Sequence, residues 1–196
     1  MVQTFKIPWR AWYGDEDFIL EFPDSWDIQL FNMKDAKAIS NKTEIEKCLK
    51  NPIDSSTIYE ISKGKQSAVI VFDDISRPNR MDSIISVVLE ELTQAGISKD
   101  KITLISAIGA HRPMTRQDFI KKVGLSVVES MNIENHHPYE NLIYIGESAF
   151  GTPIYVNKTY YEADVKISIG SVIPTHSLGL AAEPKLSFPE SAAYKL

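Results

Sequence analysis

Five apolar residues in succession, Ala68-Val69-Ile70-Val71-Phe72, constrain this chain more than any other feature. A short run rich in β-branched residues predicts a strand buried on both faces, because it offers no polar side to water. Met81, Ile84, Ile85, Val88, Leu89 and Leu92 follow at helical spacing and form one apolar stripe, with Gly96 placed to end the helix. Ile102-Thr103-Leu104-Ile105 repeats the buried-strand pattern. Thr115 and Asp118 then form a capping box before Phe119, Ile120 and Val123, with Gly124 beyond the helix end. Leu142–Ile145, Ile154–Val156 and Val165–Ile169 predict three more strands. Strands alternating with helices imply an α/β fold, with a mostly parallel sheet flanked by helices in a Rossmann-like arrangement.

The N-terminal part reads differently. Phe18–Phe22 and Ile28–Phe31 predict two strands joined by a turn at Pro23-Asp24-Ser25. Asn41 and Glu44 form a weak capping box ahead of a helical stripe of Ile45, Cys48 and Leu49, and Pro52 ends that helix. On this stripe Cys48 is expected to be a packed core residue. Thr57 and Glu60 predict another short helix ending near Gly64. No internal repeat or linker divides the pattern. With one cysteine, an internal disulfide is excluded. A net charge of −5, with no basic cluster, argues against nucleic acid and anionic membranes as partners. Without an apolar span or leader-like N-terminus, a soluble cytoplasmic protein is expected.

Chemistry is expected where the strands end, since open α/β sheets gather ligands beyond their carboxyl ends. After Phe72 comes Asp73-Asp74-Ile75-Ser76-Arg77-Pro78, and after Ala107 comes Gly109-Ala110-His111-Arg112-Pro113. Each places charged residues and a proline between a buried strand and a helix. Taken alone, Asp74 suits a turn with Arg77 as its surface partner, and His111 suits a hydrogen-bonded structural role. Two matched loops on neighbouring strands would converge on one rim, which favours a shared site of Asp74, Arg77, His111 and Arg112.

These two loops resemble the N-terminal domain of nickel-pincer-dependent lactate racemases. The similarity continues through Asn135-His136-His137, then Gly151-Thr152-Pro153-Ile154-Tyr155-Val156-Asn157, and ends with Ala163-Asp164 and Ile169-Gly170-Ser171-Val172-Ile173-Pro174. The resemblance implies a racemase or epimerase of 2-hydroxy acids that works by removing and returning hydride. It implies a nickel-pincer nucleotide as cofactor and cofactor-maturation proteins as partners. His111 matches the family's general base, and Asp74 and Arg77 match its D-x-[ST]-R positions at the cofactor and substrate site. Arg112 is carried over as their neighbour. No metal ligand is assigned.

Past Pro174 the chain departs from the pattern, reading Thr175-His176-Ser177-Leu178-Gly179-Leu180 where the family expects P-H and a glycine-rich S-G-G-x-K stretch. A coding sequence for residues 173–196 can be written in which one added C at the Pro174 codon restores I-P-H-P-F-P-G-L-G-G-G-A-K. Residues 1–174 are therefore expected to form the α/β domain, and 175–196 to be an out-of-frame tail, with the family's C-terminal domain absent. The restored frame puts a histidine at position 175, so His176 is not assumed equivalent. It also puts the family's cofactor-tethering lysine at Lys185, here flanked by Pro184 and Leu186. These departures imply that the chain as it stands neither binds the cofactor nor turns over, and that exposed apolar surface could promote self-association. A cofactor-free domain binding phosphate or carboxylate, and a non-catalytic scaffold, stay open as alternatives.

Overall fold

The computed structural model describes residues 2–10, 12–14, 16–31, 42–109, 111–175, 179–182 and 192–194. The chain divides into two compact units, Met1–Ile39 and Ser40–Leu196, a division that no composition shift announces.

The first unit is an antiparallel hairpin of β1 (Val2–Trp9) and β2 (Glu16–Pro23). Trp9 packs on Phe18 with ring centroids 5.4 Å apart, and Phe5 on Phe22 at 5.9 Å. Diagonal aromatic pairs of this kind strengthen a two-stranded ribbon. The expected strand at Phe18–Phe22 is therefore present, but Ile28–Phe31 is not a strand. Its place as partner is taken by Val2–Trp9; the chain does turn at Pro23, where the Trp26 N–H donates to the Pro23 carbonyl at 3.0 Å, but the segment beyond that turn does not pair as a strand.

The second unit begins with helices α1 (Lys42–Lys50) and α2 (Ile58–Ser62). Thr57 and Glu60 cap α2 reciprocally, as the sequence predicts. Asn41 lies outside the described residues. No residue of α1 is buried, and Cys48 is exposed, so the expectation that it packs in the core is corrected. A short helix with charged residues on most of its surface is only half covered, and its stripe stays near water.

Strand β3 (Ala68–Asp73), helix α3 (Asp82–Gln94), strand β4 (Ile102–Ala107), helices α4 (Arg116–Val123) and α5 (Leu125–Ser130), and strand β5 (Asn132–Asn135) follow. Then come β6 (Leu142–Glu147), β7 (Pro153–Asn157), α6 (Lys158–Glu162), β8 (Val165–Ile169), β9 (Val172–Thr175), β10 (Gly179–Ala182) and β11 (Ala192–Tyr194). The main sheet has the order β5-β4-β3-β8 with every neighbour parallel. It is an α/β fold of four parallel strands with flanking helices. The strands predicted at Leu142–Ile145 and Ile154–Val156 exist, but they pair antiparallel in a separate sheet of order β11-β7-β6. β9 and β10 form a further antiparallel pair, so parts of the stretch after Pro174 are strand.

All six residues of β3 are buried, which is why the apolar run shows no alternation. Ala68, Ile70 and Phe72 join Ile85, Leu92, Phe119 and Val123 on one side of the sheet. Val69 and Val71 join Ile105, Ala107 and Ala163 on the other. The chain steps from β3 outward to β4 and β5, then returns with β8 on the opposite flank of β3. In open α/β sheets such a reversal of strand order is where ligands gather, beyond the carboxyl ends of the strands. Phe72 is fully buried and meets Phe119 edge-on at 6.3 Å. Replacing it with alanine is expected to cost about 3–5 kcal/mol, read as a lower urea midpoint with an unchanged slope.

Candidate functional site

Strand β3 ends on a carboxylate, Asp73, and the loop after it begins with a second, Asp74. Asp73 turns toward α4 and Asp74 toward the loop after β4. Asp74 is 5% exposed, and each of its oxygens is engaged. Oδ1 accepts the Ser76 backbone N–H at 3.0 Å and the Ser76 hydroxyl, which closes a side-chain turn. Oδ2 lies 2.6 Å from Nδ1 of His111. The neighbouring strand β4 delivers that histidine through a tight turn in which the His111 N–H donates to the Ile108 carbonyl at 2.9 Å. Gly109 takes φ +55° there, a conformation that glycine adopts without steric cost.

His111 is itself exposed, its side chain retaining 54% of its accessible surface. A buried carboxylate on Nδ1 fixes the ring orientation and favours the tautomer that leaves Nε2 as a proton acceptor. Such an imidazole can take a hydroxyl proton from a bound molecule and return it. Arg77 belongs to the same turn, its backbone N–H donating to the Asp74 carbonyl at 3.3 Å, and it is half-buried. The structure thus joins Asp74 and His111 directly and sets Arg77 three residues from the carboxylate.

Arg112 is committed elsewhere. Its guanidinium grips Asp118 through two bonds, Nη1 to Oδ2 at 2.7 Å and Nη2 to Oδ1 at 3.3 Å. Asp118 also completes the predicted capping box with Thr115 at the start of α4. The Arg112 hydrogen bonds hold the Asp118 carboxyl well below the usual carboxylate range, helped by the Thr115 backbone, while partial burial opposes them. Lys185 and His176 lie outside the described residues.

Four features of this rim had no role assigned from the sequence, although Asn135, His136 and Ser171 lie in motifs that carry the family resemblance. Lys122 on α4 is fully buried, with Nζ 2.5 Å from Asp73 Oδ1, 2.9 Å from the Arg77 carbonyl oxygen and 2.8 Å from Asn79 Oδ1. Burial pushes its ammonium below the ordinary lysine range, against the pull of Asp73. The Ser171 hydroxyl, just past β8, donates to Asp73 Oδ2 at 2.8 Å. Asn135 clamps Met114 at both its N–H and its carbonyl, each at 2.9 Å, and so ties the His111 loop to β5. His136 continues β5 by donating its backbone N–H to the Ser106 carbonyl, and its ring is buried with neither nitrogen hydrogen-bonded. A signal for Lys122 existed: it stands three residues after Phe119 and beside Val123, on the apolar face of α4.

The sequence profile of the lactate racemase N-terminal domain matches residues 13–195. This chain belongs to that family. It is 30% identical over 159 residues to the lactate racemase of Lactiplantibacillus plantarum, covering 80% of this chain and 37% of that protein. It is 26% identical over 186 residues to the lactate racemase of Thermoanaerobacterium thermosaccharolyticum, covering 92% of this chain and 43% of that one. The chain therefore spans less than half the length of these relatives. The lactate racemase apoprotein structure from T. thermosaccharolyticum superposes with a TM-score of 0.75 at 24% identity, covering 97% of this chain and 44% of that one. A Thermotoga maritima protein superposes at 0.63 with 21% identity, over 78% of this chain and 39% of its own. Both likenesses speak to the fold. The family is thus shared with lactate racemases, while the roles of individual residues rest on the geometry above.

Burial, with a smaller contribution from His137, pushes the His136 imidazole down to about 4. Unfolded, the same ring binds its proton near 6.5. Between these values the unfolded state holds more protons, so stability is full above about pH 6.5 and falls as the pH drops toward about 4. The expected slope from this group is at most about 1.4 kcal/mol per pH unit. Comparing urea unfolding of the native chain with His136→Asn across that window isolates it: the variant is expected to lose less stability on acidification. Equal slopes would assign no such role to His136.

Proposed function

We propose that this chain supplies one wall of the active site of a nickel-pincer-dependent 2-hydroxy acid racemase, with His111 as a general base. The observation that carries the reading is the 2.6 Å contact between the buried Asp74 carboxylate and the exposed His111 ring. Family membership supports it, and so does the position of Arg77 beside that pair.

The chemistry follows from the substrate class. The α-hydrogen of a hydroxy acid is hard to remove as a proton, because the adjacent carboxylate disfavours a carbanion. It leaves more readily as hydride, with its electron pair, while His111 Nε2 takes the hydroxyl proton, giving a planar keto acid. Hydride returned to either face, with the proton handed back to oxygen, gives either enantiomer. The nickel-pincer nucleotide, when bound, supplies the acceptor for that hydride. The rim fits the anionic parts of both molecules: Arg77 can hold a carboxylate or phosphate by paired hydrogen bonds. Among the described residues no cluster of three His, Cys, Asp or Glu could hold a metal, so none is assigned to nickel. Asp74 orients His111 and stabilises it once protonated. Arg112, tied to Asp118, shapes the loop beneath.

The proposal includes the tail. Residues 175–196 are read as an out-of-frame continuation, with Thr175 where the family has its second histidine, so that the 196 residues alone do not racemise lactate. Sequencing the gene through the Pro174 codon tests this, and an intact reading frame there would overturn it. Among the described residues no helix is long and apolar enough to cross a membrane; the cytoplasmic setting is part of the proposal.

For the site itself, phosphate and lactate binding by the chain should weaken about tenfold or more in Arg77→Ala, as for loss of a charge-assisted pair. In the frame-restored protein made with its maturation factors, His111→Ala should retain nickel and lose racemisation. A nickel-free protein that still bound the anions would instead be a cofactor-free binding domain.

A further inference from the structure

The buried lysine at the rim has no part in the proton or anion chemistry just described, yet it reaches the loop that carries Asp74 and Arg77. Lys122 lies on α4, one turn after Asp118. These two oppositely charged residues are both buried. Asp118 holds Arg112 of the loop after β4, and Lys122 holds the loop after β3. One short helix thus grips both loops through buried charge.

The grip on the β3 loop is unusually complete. An ammonium has three protons and no acceptor. Two hydrogen-bond acceptors, the Arg77 carbonyl and the Asn79 side chain, and the Asp73 carboxylate as ion-pair partner surround Nζ of Lys122. The backbone carbonyl of Lys122 accepts a fourth tie, from the Met81 N–H at 2.8 Å. Asp73 anchors the arrangement to the sheet, and Ser171 fixes its second oxygen from the end of β8. The segment from Asp73 to Met81 therefore starts on a residue paired with Lys122, touches it twice midway, and ends on it.

A buried ion pair is a poor way to stabilise a fold, because desolvating both charges offsets most of their attraction. What such a pair can provide is a single geometry for the groups around it. Here those groups include the backbone of Arg77 and, one residue beyond Asp73, the carboxylate that orients His111.

We propose that Lys122 is a positioning residue, fixing the loop that presents Arg77 and Asp74 through its bonds to Asp73, the Arg77 carbonyl and Asn79. This inference rests on the reading of Arg77 as the anion holder, and it makes a separate claim about what sets the loop's conformation.

The test compares four forms of the full chain: native, Arg77→Ala, Lys122→Met, and the double variant Asp73→Asn with Lys122→Met. The single Lys122→Met variant leaves Asp73 buried and unpaired, and its stability is expected to drop sharply. The double variant removes both charges together, so its melting temperature should stay within about 3 °C of native. Its loop should nevertheless be loose. Inorganic phosphate affinity is expected to fall about tenfold, and the backbone amides of residues 75–81 to exchange with deuterium at least about tenfold faster. A merely structural pair would predict a double variant that melts, binds and exchanges as the native chain does, and that result would overturn the proposal. If the double variant does not fold, Lys122→Arg decides, because an arginine that restores the charge and donors should recover native exchange in the loop. Failure of that recovery in a folded Lys122→Arg protein would count against it. If Arg77→Ala binds phosphate as tightly as the native chain, the anion reading fails. Loop exchange, which needs no ligand, then decides the role of Lys122 alone.

Discussion

The loop after β3 hangs from the contact between Asp73 and Lys122. A carboxylate at the last position of a fully buried strand would be intolerable without a partner, since taking a lone charge out of water costs several kcal/mol. The partner comes from α4, the helix packed over that strand through Phe119 and Val123. Once the ammonium is drawn inside, its remaining protons need acceptors, and the loop after β3 supplies them. The core and the site are therefore coupled: the residues that pack α4 on the sheet also decide where the loop lies.

Adjacent carboxylates acquire opposite tasks from this arrangement. Asp73 points toward the helix layer and is consumed by structure, held by Lys122 and Ser171. Asp74, one residue on, makes its hydrogen bonds elsewhere. It meets Ser76 and the ring of His111. A parallel sheet then brings the two loops together without further design, because β3 and β4 run side by side with Asp73 level with Ala107.

The second arginine illustrates how burial reassigns a residue. By position Arg112 seemed as suited to an anion as Arg77. The start of α4 needs a cap, Asp118 supplies it, and a carboxylate that is 5% exposed then needs a counter-charge close by. Arg112 meets that demand with two hydrogen bonds. Its contribution to the site is the shape of the His111 loop, which Asn135 pins from the other side.

Much of this was legible in the residues themselves. The apolar run of β3 and the stripe of α3 need no tertiary information, because burial on both faces and helical periodicity each leave a direct mark on residue order. The capping boxes at Thr57 and Thr115 are equally local, and so is the recognition that polar loops after β3 and β4 face one rim. Three things were settled only in three dimensions. Which strands pair depends on contacts across the fold: β6 and β7 carry strand patterns much like that of β8, yet they leave the parallel sheet for a sheet of their own. The hairpin partner of Phe18–Phe22 is the segment before it, Val2–Trp9, although turns form on both sides. The pairing of Asp73 with Lys122, 49 positions apart by residue number, was set by the approach of a helix to a strand end. Periodicity and capping act over a few residues and are written in their spacing. Charge pairing in a core acts through space, and the residues it joins carry no mark of each other until the chain has folded.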